Sequence, residues 1–370
     1  MPKLTDAEIE EGIGKGDIFG LAVDTSIFDR FGCDLRHPKL ALLHQLAGSK
    51  LQLLLPEIVA REVLDHLARH AVDSHSTASK ALIEYRRRWQ KDSPADLPAA
   101  DAHAEALRQL NGFLSFTGGK RIPMSEDRDL AQRAIELYFT VAPPFERRDQ
   151  KKHEFPDAFA LLSLEALAER RRRMILCVSA DKGWSAFCDR SDALVCVDDL
   201  NTALSYLNSS GRARAEAVWR SLRERGNDSF FYEPLRAAFR SRARQLDFVP
   251  EIKSSVDYRA VPVLEDLDRM ELETASSPLV IEADDESVTF TFNVKAKVIF
   301  IADFVFYASQ ATNYEATEIA AARRDVDRTV EYDVLLTVAR KGEQLGAVRE
   351  ATVDRPKVRV PFGSIDPYDA

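Results

Sequence analysis

The stretch from Lys152 to Trp184, KKHEFPDAFALLSLEALAERRRRMILCVSADKGW with its preceding lysine, restricts the fold most. It reads as a helix start, a helix, a buried strand and an acidic strand end. Pro156 stands where the first helical position is expected and Asp157 follows in the first turn. Phe159, Leu161, Leu162, Leu164 and Leu167 give that helix an apolar stripe. Arg170 to Arg173 crowd its C-terminal end, where they complement the helix dipole and stay solvated. Met174 to Val178 is a short apolar run of the kind buried on both faces of a parallel sheet. The strand then ends in Ser179, Ala180 and Asp181. Two carboxylates, Asp157 and Asp181, are thus expected at a helix N-terminus and a strand C-terminus, on the rim where open α/β sheets bind ligands.

The rest of the first half brings more carboxylates to that rim. Ile18 to Val23 reads as the first strand and ends in Asp24, Thr25 and Ser26. Lys39 to Ala47 reads as a helix and Leu51 to Leu55 as a second buried strand. Pro56 opens a helix whose core face is Ile58, Val59, Val63 and Leu67, with Glu62 at its edge. That helix is expected to run to Trp89 with a break near Ser74. A Pro- and Ala-rich loop covers Ser93 to Ala100, and helical stretches follow near Ala102 to Leu114 and Asp127 to Tyr138. After Trp184 come a strand at Ala193 to Val197 and a helix at Leu200 to Leu207. Strand–helix alternation predicts parallel strands with helices on both faces, and right-handed crossovers put the strand ends on one rim. The glycines at 12, 14, 16 and 20 precede the first strand, so they do not form a dinucleotide loop.

The second half changes character. Residues 211 to 247 carry nine arginines against Glu216, Glu224, Asp228, Glu233 and Asp247 and read as a basic helical segment. Residues 248 to 277 read as an acidic, Pro-punctuated linker. From 278 onward, Val288, Phe290, Phe292 and Val294 alternate with polar residues, as do Val330, Tyr332, Val334, Leu336 and Val338. With a turn at Gly342, this predicts a small antiparallel β domain. The expected division is residues 1–210, with a helical insertion at about 68–146, then 211–277, then 278–370. Of 51 basic and 60 acidic residues, 14 and 23 lie from Glu251 onward. The first 250 residues are therefore neutral, and the net charge of −9 sits in the tail. The basic segment either packs on that acidic part or clamps RNA, in which case binding would weaken with salt. No apolar run reaches the roughly 18 residues of a membrane span. The N-terminus is acidic and polar, unlike a signal peptide. Cys33, Cys177, Cys188 and Cys196 show neither paired metal spacing nor a disulfide framework, so a cytoplasmic chain is expected.

Asp24, Glu62, Asp157 and Asp181 at one rim would repel one another, and all four cannot ionise without a cation. Hard oxygen donors without cysteines suit Mg²⁺ or Mn²⁺, and such a site can hold a phosphodiester and activate water against it. Glu57 competes with Glu62, which is preferred for its place beside the apolar face. Asp199 reads as a helix N-cap rather than a ligand. His66 and His70 share the helix face of Glu62, but without an HExxH pattern they read as solvated or core histidines. Arg86 to Arg88 read as a solvated face.

DTS at the first strand end, PEIVAREV, KKHEFPDAF and SADKGW resemble, in this order, the motifs of PIN-domain nucleases. The similarity is closest to a PIN-like subfamily long known only as a domain of unknown function. It spans about residues 18 to 208. It implies a metal-dependent ribonuclease on a three-layer α/β/α sandwich, with Asp24, Glu62, Asp157 and Asp181 as catalytic and metal-binding residues. Ser26 and Lys152 match positions near the site and are expected to contact substrate. The long insertion departs from the small PIN toxins. The expected setting is a toxin or defence nuclease acting on RNA. Partner binding or regulation, with a protein inhibitor as one candidate, is assigned to the C-terminal β domain. A non-catalytic RNA- or protein-binding scaffold and a structure-specific DNA nuclease remain the alternatives.

Overall fold

The computed structural model describes residues 4–89, 97, 101–124, 129–145, 154–225, 229–243, 248–266, 273–274, 276–308, 317–342, 344–354 and 358–365. The chain divides into two compact units, Met1–Leu207 and Asn208–Ala370.

The first unit runs α1 (Asp6–Lys15), β1 (Ile18–Val23), α2 (Thr25–Arg30), α3 (Pro38–Ala41), β2 (Gln52–Pro56), α4 (Glu57–Trp89), α5 (Ala102–Thr117), β3 (Lys120–Ile122), α6 (Leu130–Thr140), α7 (Phe155–Arg171), β4 (Met174–Val178), α8 (Lys182–Cys188), β5 (Leu194–Val197) and α9 (Leu200–Ser205). Five parallel strands stand in the order β3-β2-β1-β4-β5. Helices flank this sheet as the outer layers of an α/β/α sandwich, as the alternation predicts. The strand order reverses direction between β1 and β4, which makes their C-terminal ends the topological switch point. All six residues of β1 are buried, so the strand has no polar face and can only be central.

Local chemistry sets the element ends. Thr5 and Glu8 form a capping box on α1. Asp181 accepts from the Gly183 and Trp184 amides at the start of α8, and Asp199 accepts from Thr202 N–H at 3.0 Å to start α9. Phe155 opens α7 against the rings of Tyr138 and Phe145, at centroid distances of 5.1 and 5.0 Å. That aromatic packing fixes where the first turn of α7, and with it Asp157, begins. Arg171 and Arg173 lie over the Phe19 ring at 4.7 and 5.3 Å, so the exposed arginine run also covers an aromatic face.

Three sequence expectations change here. α4 is continuous through Ser74, whose hydroxyl bonds back to the Ala71 carbonyl without breaking the helix. The helix read at Lys39 to Ala47 is a single α turn followed by a 3₁₀ segment, Leu42–Leu46. β3 was missed because Lys120–Ile122 is too short to show an alternation.

The second unit runs α10 (Arg212–Arg225), α11 (Tyr232–Ala243), β6 (Phe248–Lys253), β7 (Asp257–Asp266), β8 (Glu273–Thr274), β9 (Leu279–Ala283), β10 (Ser287–Ala308), β11 (Thr317–Lys341), β12 (Gln344–Asp354) and β13 (Val358–Ser364). Strands β12, β11, β10 and β7 form an antiparallel sheet, with β8 and β9 also pairing to β10. β13 and β6 pair separately and in parallel. Gly342, at φ +61°, turns β11 into β12. On β10 the even-numbered residues from Val288 to Phe306 are all buried, a period of two held along a 22-residue strand. The stretch read as a linker thus contains strands. Two basic helices share the core of the sheet: Val218, Phe231, Leu235 and Phe239 cluster with Phe290, Phe300, Phe304 and Tyr332. Arg220, Arg223 and Arg240 remain on their exposed faces.

Candidate active site at the sheet's switch point

Asp24 follows β1, caps the start of α2 and is only 5% exposed. Its Oδ2 accepts from the Ser26 hydroxyl at 2.5 Å and from the Ser179 hydroxyl at 2.7 Å. Asp24 N–H donates to the Val178 carbonyl at 3.0 Å, so the β1–β4 ladder itself carries the residue to the end of β4. Ser179 Oγ also accepts from Asp181 N–H at 3.0 Å. One hydroxyl therefore joins the two strand-end aspartates.

Glu62 lies in the second turn of α4, where its Oε2 accepts from the Thr25 hydroxyl at 2.6 Å. Glu57 instead pairs with Arg61 at 2.9 Å along its own helix. Asp157, in the first turn of α7, accepts from Trp184 Nε1–H at 2.8 Å, and that indole is fully buried. Asp181 spends its Oδ1 on the amides of Gly183, at 2.6 Å, and Trp184, at 3.2 Å. A Cβ on Gly183 would lie 2.8 Å from that oxygen and 3.0 Å from the Pro144 carbonyl. The position therefore has to be glycine for the aspartate to sit where it does.

Burial and the neighbouring carboxylates act on two of the four, Asp157 and Asp24. Burial first, then the charges of Asp24, Asp181 and Glu62, push the Asp157 carboxyl up to about 7 against the lowering effect of the Trp184 hydrogen bond. Burial likewise raises Asp24, with Asp181 adding to it and the Ser26 and Ser179 hydroxyls opposing. Among the described residues, no three rim carboxylates bring their ligand atoms within 4.8 Å of one another. Hard oxygen donors, a protonated-leaning carboxyl and neutral hydroxyls make a set that a divalent cation would balance.

Ser26 is thus bonded to Asp24, and Lys152 lies outside the described residues. Sequence reading missed Thr25, Ser179 and Trp184 as the groups that orient the carboxylates. All three lie inside the motifs DTS and SADKGW, so a rule that acids at strand ends need nearby hydroxyl or N–H donors would have found them. It also missed Lys182, which lines a cavity of about 350 Å³ with Asp181, Asp198 and Tyr206. Arg87 and Arg88 are both held by Glu84, at 2.9 and 2.7 Å. No helix among the described residues is long and apolar enough to cross a membrane.

Comparison with known proteins agrees with this geometry. A family model of the PIN domain matches residues 21–184, which take in all four carboxylates. No curated protein matches the chain and no solved structure does. With an acidic rim at the switch point of a five-stranded parallel sheet, residues 21–184 match the PIN-domain family, whose members are generally nucleases.

Proposed function

We propose that this protein is a metal-dependent endoribonuclease that uses Asp24, Glu62, Asp157 and Asp181. The observation that carries the reading is Asp157 at the switch point, held up by burial and then by the charges of Asp24, Asp181 and Glu62. A structural rim has no need to bury Asp157 beside three other carboxylates, whereas catalytic sites gather such groups. A scaffold that only binds RNA would be expected to present basic and aromatic groups there.

Mg²⁺ or Mn²⁺, when bound by these carboxylates, would supply Lewis-acid polarisation of the phosphodiester and a lowered pKa for water. The chain's own residues set the frame for that chemistry. Ser179 and Ser26 hold Asp24, Thr25 holds Glu62, and Trp184 holds Asp157, each by a hydrogen bond of 2.5–2.8 Å. Lys182, beside Asp181, is placed to meet a substrate phosphate. RNA is the proposed substrate class, on the strength of the sequence resemblance. A toxin or defence role, a cytoplasmic location and a protein partner for the β-rich unit belong to the same reading.

The test is cleavage of matched single-stranded RNA and DNA with Mg²⁺, Mn²⁺ or EDTA. Metal-dependent cutting of RNA in preference to DNA supports the proposal. Preferential cutting of DNA would favour the DNA-nuclease alternative. Binding with no cleavage of either, by folded protein in Mn²⁺, would favour the scaffold.

A further inference from the structure

A second constellation lies beyond the acidic rim, at the opposite end of α2 from Asp24. Asp29 Oδ1 accepts from His66 Nδ1–H at 2.6 Å and faces Cys33 Sγ at 3.2 Å. The three ligand-type atoms all lie within 4.8 Å of one another. Cys33 is 1% exposed, while the Asp29 and His66 side chains keep 46% and 25% of their surface. The thiol is therefore shielded, yet the cluster is open on its other side. Gly32 and Cys33 both have left-handed backbone, at φ +63° and +53°, and this turn brings the thiol back to Asp29. His70, one helical turn beyond His66, donates from Nδ1 to the Gly32 carbonyl at 3.0 Å, which anchors α4 to the same turn.

We propose that Asp29, Cys33 and His66 form a second metal site, which takes Zn²⁺ with three protein ligands and one solvent position. The donor set decides the metal: a thiol and an imidazole select a borderline-soft ion, whereas the all-oxygen rim selects Mg²⁺ or Mn²⁺. Binding forms one bond each to sulfur, nitrogen and oxygen. The thiol gives its proton to the buffer. The imidazole keeps its proton but moves it from Nδ1 to Nε2, so one proton is released per ion. Thiolate and carboxylate together neutralise the dication.

The consequence is mechanical. α2 starts at Asp24 and α4 carries Glu62 one turn before His66, and the Thr25–Glu62 hydrogen bond already joins the two helices near the rim. A cation at Asp29, Cys33 and His66 would pin the far end of α2 to the same helix. It would fix the separation of two rim carboxylates without touching the rim. This assignment does not depend on the nuclease reading, because its test reads metal coordination alone.

The experiment is a Co²⁺ titration of the full, metal-stripped chain, followed by Zn²⁺ displacement. The expected result is a thiolate-to-cobalt charge-transfer band that saturates at one equivalent, vanishes on adding Zn²⁺ and survives excess Mg²⁺. The band should persist in Asp157→Asn and be lost in Cys33→Ser. His66→Gln, which keeps every cysteine, should weaken Zn²⁺ binding at least about tenfold. Zn²⁺ should raise the melting temperature of the wild type and not of His66→Gln. Absence of the band in folded wild type overturns the proposal. So does its persistence in Cys33→Ser, which would move the thiolate to Cys177, Cys188 or Cys196.

Discussion

Replacing Asp157 by Asn should make the metal-free protein more stable at pH 8 and leave it nearly unchanged at pH 4. The Asp157 carboxyl stands at about 7 in the folded chain against an ordinary value of 3.8. An acid raised in this way binds its proton more tightly folded than unfolded. Its contribution is complete below about pH 4 and is lost as pH rises through about 7. Three pK units at 1.36 kcal/mol each set a ceiling of about 4 kcal/mol. Partial exposure of the side chain screens part of this, leaving about 2–3 kcal/mol. Asn keeps the oxygen that accepts from Trp184 Nε1 and removes the ionisation, so the hydrogen bond is not confounded with the charge. For a unit of 207 residues, that difference amounts to about 5–10 °C in the first melting transition. Calorimetry in EDTA across pH 4 to 8 reads it directly. The variant should overtake the wild type as pH rises, and Mg²⁺ at pH 8 should restore the wild type more than the variant. Parallel curves for the two proteins across this range would refute the argument that burial and the neighbouring carboxylates raise the Asp157 carboxyl.

Further expectations follow from the same geometry. Asp24→Asn and Asp181→Asn should each abolish cleavage with the fold retained by circular dichroism; undiminished single-turnover cutting by both would remove them from catalysis. Cleavage should leave 5′-phosphate and 3′-hydroxyl ends and stop in EDTA, because water attack in line expels the 3′ oxygen; 2′,3′-cyclic phosphate ends formed in EDTA would point to a histidine acid–base pair instead. Gly183→Ala should cost about 1–3 kcal/mol and weaken Mg²⁺ dependence, since its Cβ would meet the Asp181 carboxylate at 2.8 Å; an unchanged metal titration would show that Asp181 can move freely. A chain ending at residue 207 should fold, whereas one ending at 277 should aggregate by exposing Val218, Phe231, Leu235 and Phe239; equal solubility of the two would contradict the shared core.

The sequence alone determined the alternation of β1, β2, β4 and β5 with helices, because buried parallel strands must be short unbroken apolar runs. It also determined that Asp24, Glu62, Asp157 and Asp181 sit at strand ends and helix starts, since Pro56, Pro156 and the apolar runs fix those boundaries. It could not determine the strand order, and only that order brings the ends of β1 and β4 side by side. In the second unit the alternation in β10 was legible to Val294, and then the apolar residues at 298 to 301 hid it; cross-strand pairing carries the pattern to Phe306. Basic helices read as a separate segment because their charge dominates the composition, while a few buried aromatic residues decide their packing. His66 read as a solvated or core histidine on the helix face of Glu62. Its partners, Asp29 at the end of α2 and Cys33 in the turn after it, lie more than thirty positions away, and nothing in local spacing reports a contact that tertiary packing makes.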